Sequence, residues 1–321
     1  MSKLISMTAA MTCLAITASA GNDTPHWSLT WKKMQTTGPE LELIGTLPTR
    51  TTHELGASDW SVGCETLDRD YADFDSYKPY LSELGVTSAR IQSGWARCEK
   101  QKGRYDFAWI DHIVDGMLEE GVQPWINLGY GNPLYGAEKG LGSKIFTDEP
   151  TMKAWLKFVE TIVARYRDKV HEWEIWNEPD LGPKMWTGTL EAFNDFYATA
   201  ARELKKRFPH LKFGGPGHCA FGEEKVKAFA ENCAKHGAPL DFYSFHYYSP
   251  SDTELLQMAL DARRWLDESG FPDTEIHLNE WHYNPYGGAL WGMGPVEQNE
   301  AIRFMRGLES AAFLNTVLIG W

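Results

Sequence analysis

From Asp59 to its last residue the chain alternates short β-prone runs with longer amphipathic segments, and it does so eight times. The runs are Trp60–Glu65, Thr87–Gln92, Gln123–Tyr130, His171–Asn177, Leu211–Gly215, Asp241–Tyr248, Glu275–Glu280 and Val317–Trp321. Between them, Tyr77–Leu84, Trp109–Glu120, Met152–Lys169, Leu190–Phe208, Lys225–His236, Glu254–Glu268 and Glu297–Leu314 carry apolar residues at helical spacing. Asp75, Thr151 and Ser251 are expected to cap three of these helices. Strands separated by helices pair in parallel through right-handed crossovers. Eight strand–helix units in roughly 260 residues predict an α/β fold, a (β/α)8 TIM barrel.

The expected barrel domain is 59–321. Its last strand ends the sequence with no eighth helix behind it, so the reading expects a C-terminally truncated domain. Residues 21–58 form a short β-rich segment, with strand-like alternation in Trp27–Trp31 and Glu40–Ile44 joined through Gly38-Pro39. Two strands are too few for a stable domain. They either join a β-rich module completed elsewhere or plug the bottom of the barrel.

Residues 1–20 read as a secretory signal. Lys3 supplies the positive start, Leu4–Ile16 the apolar run and Ala18-Ser19-Ala20 the cleavage site, with the cut after Ala20. Cys13 follows Met11-Thr12, a poor context for lipidation. The run is too short to span a bilayer, and a secreted or periplasmic location is expected. The formal net charge is −13, and loss of Lys3 makes it −14. That excess of acid argues against nucleic acid and anionic membrane as partners, both of which require basic patches. No protein partner is inferable. Export permits disulfides. Cys64, Cys98, Cys219 and Cys233 allow three pairings, a Cys64–Cys98 bridge between neighbouring loops among them. No HxH, HExxH or CxxC spacing appears, so neither a metal nor an organic cofactor is expected.

Two strings carry chemistry: Trp173-Glu174-Ile175-Trp176-Asn177-Glu178-Pro179 and Leu278-Asn279-Glu280-Trp281. Each is an apolar β-prone run ending in a glutamate. In a barrel the active site lies at the C-terminal ends of the strands, so Glu178 and Glu280 are expected to face each other across its mouth. Pro179 is expected to end the fourth strand there. Paired carboxyls are the requirement of glycoside hydrolysis: one protonates the leaving oxygen, and the other attacks the anomeric carbon or activates water.

The Glu-Ile-Trp-Asn-Glu-Pro-Asp stretch resembles the strand-four motif of clan A glycoside hydrolases, family 39 most closely. That resemblance spans the barrel, Asp59 to Trp321. It implies a retaining glycosidase with Glu178 as general acid/base and Glu280 as nucleophile. Asn177 would then bond the sugar 2-hydroxyl and Arg90 would contact the nucleophile, which a nearby cation keeps ionised. His246 and Tyr248 match a His-x-Tyr beside the nucleophile, and Trp321 matches a floor under the reacting sugar. Trp95 and Trp281 are further platform candidates, although tryptophan is also common in barrel cores. Glu65, His218 and His282 could bind hydroxyls. Tyr130-Gly131-Asn132-Pro133-Leu134-Tyr135 resembles a segment of some family members, and with the stretch to Gly142 it could form a wall of the cleft. A carboxyl separation of about 5 to 5.5 Å is expected for retention, against roughly 6.5 to 9.5 Å for inversion. The substrate class is an oligo- or polysaccharide, with β-xylosides first on family grounds. An endo-acting enzyme, a β-glucosidase or β-galactosidase, and a non-catalytic carbohydrate-binding barrel are the alternatives. The string Asn279-Glu280-Trp281-His282 departs from the Thr-Glu-Phe type of typical xylosidases.

Overall fold

A computed structural model describes residues 50–56, 58–137 and 149–286, together with short pieces between 293 and 318. The first 49 residues, which hold the expected signal and both N-terminal strands, lie outside the described residues, as does Trp321. Seven parallel strands run in chain order: β1 Ser61–Gly63, β2 Ser88–Gln92, β3 Gln123–Asn127, β4 Glu172–Glu174, β5 Lys212–His218, β6 Phe242–Ser249 and β7 Glu275–Tyr283. β7 curls back against β1, so the sheet is a nearly closed barrel. Helices Phe74–Leu81, Ala108–Glu119, Glu149–Tyr166, Leu190–Arg207, Glu223–His236 and Asp252–Glu268 alternate with the strands. This is the (β/α) barrel that the alternation predicts.

Several boundaries move. Val317 and Leu318, expected in an eighth strand, are helical. Phe313 and Val317 pack against Leu255. A short apolar run does not distinguish a strand from a buried helix, and here the helix took it. Two of the three expected caps also differ. Ser251 does cap its helix, accepting from the Glu254 amide at 3.2 Å. However, Asp73 rather than Asp75 caps Phe74–Leu81, and Thr151 lies within Glu149–Tyr166.

β4 ends at Glu174, well before Pro179. Ile175 still donates to the Gly214 carbonyl at 2.8 Å, after which the chain leaves the sheet through Trp176 (φ +74°) and Glu178 (φ +49°). Left-handed backbone at non-glycine residues is costly and concentrates at functional sites. Pro179 opens the 3-10 turn that follows rather than ending the strand.

The space between sheet and helices is filled by aromatic rings. Trp155, Trp176, Trp186, Phe193 and Phe196 meet mainly edge to face, with the Trp176 and Trp186 centroids 5.8 Å apart. At the N-terminal end of the strands, Thr52–Leu55 packs beneath the barrel, where Thr52 Oγ1 donates to the Val86 carbonyl at 2.7 Å. The four described cysteines are free thiols, so none of the three possible pairings, Cys64–Cys98 among them, is formed. Cys98 Sγ contacts the Ser93 carbonyl at 3.4 Å and accepts from Trp109 Nε1 at 3.3 Å. Burial pushes the Cys64 thiol up to about 11 and the Cys98 thiol up to about 12.

Candidate active site

The two key glutamates are aimed by backbone irregularities. In β7 the pairing runs Phe245 with Leu278 and then His246 with Glu280, so Asn279 is an extra residue, a β-bulge. Side chains alternate along a regular strand, but the bulge turns two consecutive residues inward. Asn279 Nδ2 reaches Glu174 Oε1 at 2.7 Å, and Glu280 reaches Arg90. β5 skips similarly between Pro216 and His218. The skipped residue, Gly217, is left-handed, and its carbonyl accepts from the Glu178 amide at 2.9 Å. A Cβ on Gly217 would stand 3.1 Å from His246 Nε2 and 3.3 Å from Glu174 Oε1, so glycine leaves the site open.

Arg90, on β2 and almost fully buried, is the hub. Its Nε and Nη2 bind Glu174 Oε2 at 2.8 and 2.7 Å, and Nη2 also donates to Asn177 Oδ1 at 2.6 Å. Nη1 donates to Glu280 Oε1 at 2.7 Å and to Glu65. Glu174 takes further bonds from Asn127 at 2.8 Å and Ser244 at 2.6 Å. Its buried charge is therefore met from every side, as burial demands.

Glu280 also accepts from the Tyr248 hydroxyl at 3.1 Å. Burial alone would raise the Glu280 carboxyl, but the charges of His246 and Arg90 outweigh it and hold the group below the usual carboxylate range. His246 stands between the two glutamates, Nδ1 2.9 Å from Glu178 Oε1 and Nε2 3.4 Å from Glu280 Oε1. Burial opposes an imidazolium there, yet Glu280 and Glu178 together raise its pKa. One oxygen each of Glu178 and Glu280 and a ring nitrogen of His246 lie within 4.8 Å of one another. Among the described residues this is the only group able to close around a metal ion. A cation there would face the Arg90 guanidinium across the Glu280 oxygen, so the arrangement suits an acid pair better than a metal.

Of the residues read from sequence, Glu178, Glu280, Asn177, Arg90, His246, Tyr248 and Glu65 are brought together. Trp95 is not. It is fully buried, stacked on Tyr135 with centroids 4.8 Å apart, and its Nε1 donates to Glu99. Replacing it with alanine is expected to cost about 3 to 5 kcal/mol in chemical denaturation and to leave KM unchanged. A raised KM at unaltered stability would restore it as a platform. Trp281 follows Glu280 and so points out of the barrel, against Phe313. His218 turns to the helix layer, bonding the Tyr243 hydroxyl at 2.8 Å and meeting the Phe229 ring. His282 is in register with Tyr248, its Nδ1 on the Tyr283 carbonyl at 2.8 Å. In the loop after β3, Asn132 donates to the Glu99 carbonyl at 2.9 Å and Tyr135 to the Glu99 carboxylate at 2.7 Å. Its continuation, 138–148, lies outside the described residues.

Sequence reading missed Asn127, Ser244 and Gly217. Asn127 and Ser244 are small polar residues inside β-prone runs, and such an interruption of an apolar strand was the available signal. Gly217 lies beyond the expected fifth run, in the part of β5 that the sequence reading left out.

The sequence pattern of the glycosyl hydrolases family 39 matches residues 80–268, more than half of the chain. The chain belongs to that family. It is similar to a β-xylosidase of Geobacillus stearothermophilus, 27% identical over 58% of this chain and 43% of the relative. A β-xylosidase of Caldicellulosiruptor saccharolyticus is 32% identical over 56% of this chain and 41% of that protein. Among solved structures, a monomeric β-xylosidase from Caulobacter crescentus CB15 superposes with a TM-score of 0.60 at 25% identity, covering 71% of this chain and 52% of that one. The family 39 member thus spans less than half the length of either of these two β-xylosidases of Geobacillus and Caldicellulosiruptor.

Proposed function

We propose that this family 39 chain carries the active site of a retaining glycosidase acting on oligo- or polysaccharides, β-xylosides first. Glu280 is the nucleophile and Glu178 the acid/base. The observation that carries the reading is the pairing of a cation-held carboxylate, Glu280, with a second carboxyl within 4.8 Å. That proximity favours a covalent intermediate, because inversion needs room for a water between the carboxyls. Glu280 attacks the anomeric carbon while Glu178 gives its proton to the departing oxygen. The carbon–oxygen bond breaks and a glycosyl ester forms. Glu178 then takes a proton from the water that cleaves the ester.

The xyloside preference is supported by the names of the relatives in Geobacillus, Caldicellulosiruptor and Caulobacter. Turnover across aryl β-xyloside, β-glucoside, β-galactoside and α-arabinoside tests it. A clear preference for another sugar would overturn the xyloside, and a well-folded chain inert on all four would favour endo action or a binding role. We further propose export with removal of residues 1–20, which N-terminal sequencing of the secreted protein checks.

Glu178→Gln is expected to slow substrates with poor leaving groups by about 10²- to 10⁴-fold and to spare the first step for activated ones. Equal losses for both, measured as kcat/KM, would remove Glu178 from the acid/base role.

A further inference from the structure

We propose that Glu65 is a positioning residue that holds a proton at neutral pH and donates it in a hydrogen bond to the nucleophile Glu280. This rests on the assignment of Glu280 above. Three carboxyls, Glu65, Glu174 and Glu280, converge on the one guanidinium of Arg90. Glu174 is also held by Asn127, Ser244 and Asn279, and Glu280 by Tyr248 with His246 opposite. Among the described residues Glu65 has one donor, the Arg90 Nη1 already engaged by Glu280, and the Glu280 carboxyl stands beside it. Two like charges sharing one nitrogen do not both stay ionised, and the proton settles on the carboxyl with fewer donors.

The groups facing Glu65 are Arg90 from β2, Glu280 from β7, His246 and Tyr248 from β6, and Tyr130 from the loop after β3. Burial raises its carboxyl, Arg90 opposes this, and Glu280 adds to it. A neutral Glu65 has one O–H to give, and Glu280 is the acceptor in reach. The bond steadies the nucleophile's oxygen, and loss of the proton at higher pH sets two carboxylates against each other.

The test is the pH profile of kcat/KM for a 2,4-dinitrophenyl glycoside, whose departure needs no help from Glu178, so that acid's own titration drops out. The wild-type chain is expected to lose activity on an alkaline limb displaced upward from the ordinary carboxylate range. Glu65→Gln, whose amide donates at every pH, should abolish that limb while keeping activity within about threefold at the optimum. Glu65→Ala should lower kcat/KM by about 10- to 100-fold, the loss expected for a hydrogen bond to a charged group. An unchanged limb in the glutamine variant, or wild-type activity in the alanine variant, overturns the proposal. Infrared difference titration supplies a readout independent of turnover. A protonated-carboxyl band present at neutral pH and missing in Glu65→Gln supports the proton, and its absence from the wild type overturns it. If the chain turns over no glycoside while the band is present, the assignment of Glu280 fails and the shared proton stands.

Discussion

Replacing Glu280 with alanine is expected to reduce turnover of every accepted aryl glycoside by on the order of 10⁴-fold or more, as loss of a covalent nucleophile does. The fold should survive, because Arg90 keeps its contacts with Glu174, Asn177 and Glu65. The vacated space lies beside the Arg90 guanidinium, where a small anion such as azide is favoured. Azide is then expected to attack the anomeric carbon from the side Glu280 occupied, expelling the aryl oxide and leaving a glycosyl azide of inverted configuration. Chromatographic and NMR identification of that product would mark Glu280 as the nucleophile and the native reaction as retaining. A variant as active as the wild type, or an azide product of retained configuration, would sink the assignment.

Arg90→Met is expected to cost about 3 to 5 kcal/mol of stability at neutral pH, the range for removing one partner of a buried ionic network. Urea denaturation followed by circular dichroism measures it. Against a typical total of about 5 to 15 kcal/mol, that is a large fraction. The pH dependence follows from the carboxyl that Arg90 helps hold. The Glu280 pKa is depressed in the folded chain. Its contribution is therefore present above the unfolded carboxylate pKa and is lost as pH falls through the folded value. In Arg90→Met that depression shrinks, so the gap between variant and wild type should be widest near neutrality and narrow on acidification. A gap that stayed constant in acid would mean that Arg90 stabilises the barrel by packing, for example on the Trp125 ring 5.7 Å away, and not by its charge.

Both effects come from one cluster, and its parts were unequally legible in the sequence. Glu178 and Asn177 stood out because Asn-Glu-Pro breaks an apolar run where a barrel strand should end. Glu280 was legible for the same reason. Arg90 was legible through the family resemblance, which placed it beside the nucleophile. Glu174 was readable as an internal acid. Its role as anchor of Asn279 was not, because that contact joins residues 105 apart in sequence. Trp95 and Trp281 show the converse failure. Tryptophan serves equally well as a sugar platform and as core filling, and only the direction of the side chain separates the two. For Trp281 that direction follows from its parity in β7. For Trp95 it follows from a helical turn that begins at Gly94, whose left-handed backbone no periodicity announces.

What the sequence alone determined was the alternation of strands and helices, the parallel barrel built from it and two carboxyls, Glu178 and Glu280, that the fold brings together. Those depend on side-chain periodicity and on residue types whose chemistry is local. What only the tertiary structure decided was direction and charge state. The bulge at Asn279, the left-handed turns at Trp176, Glu178 and Gly217 and the convergence of three carboxyls on Arg90 are set by how seven strands meet. A pKa depends on neighbours within a few ångströms in space, and those neighbours came from β2, β6, β7 and the segment just after β1, elements that closing the barrel brings together.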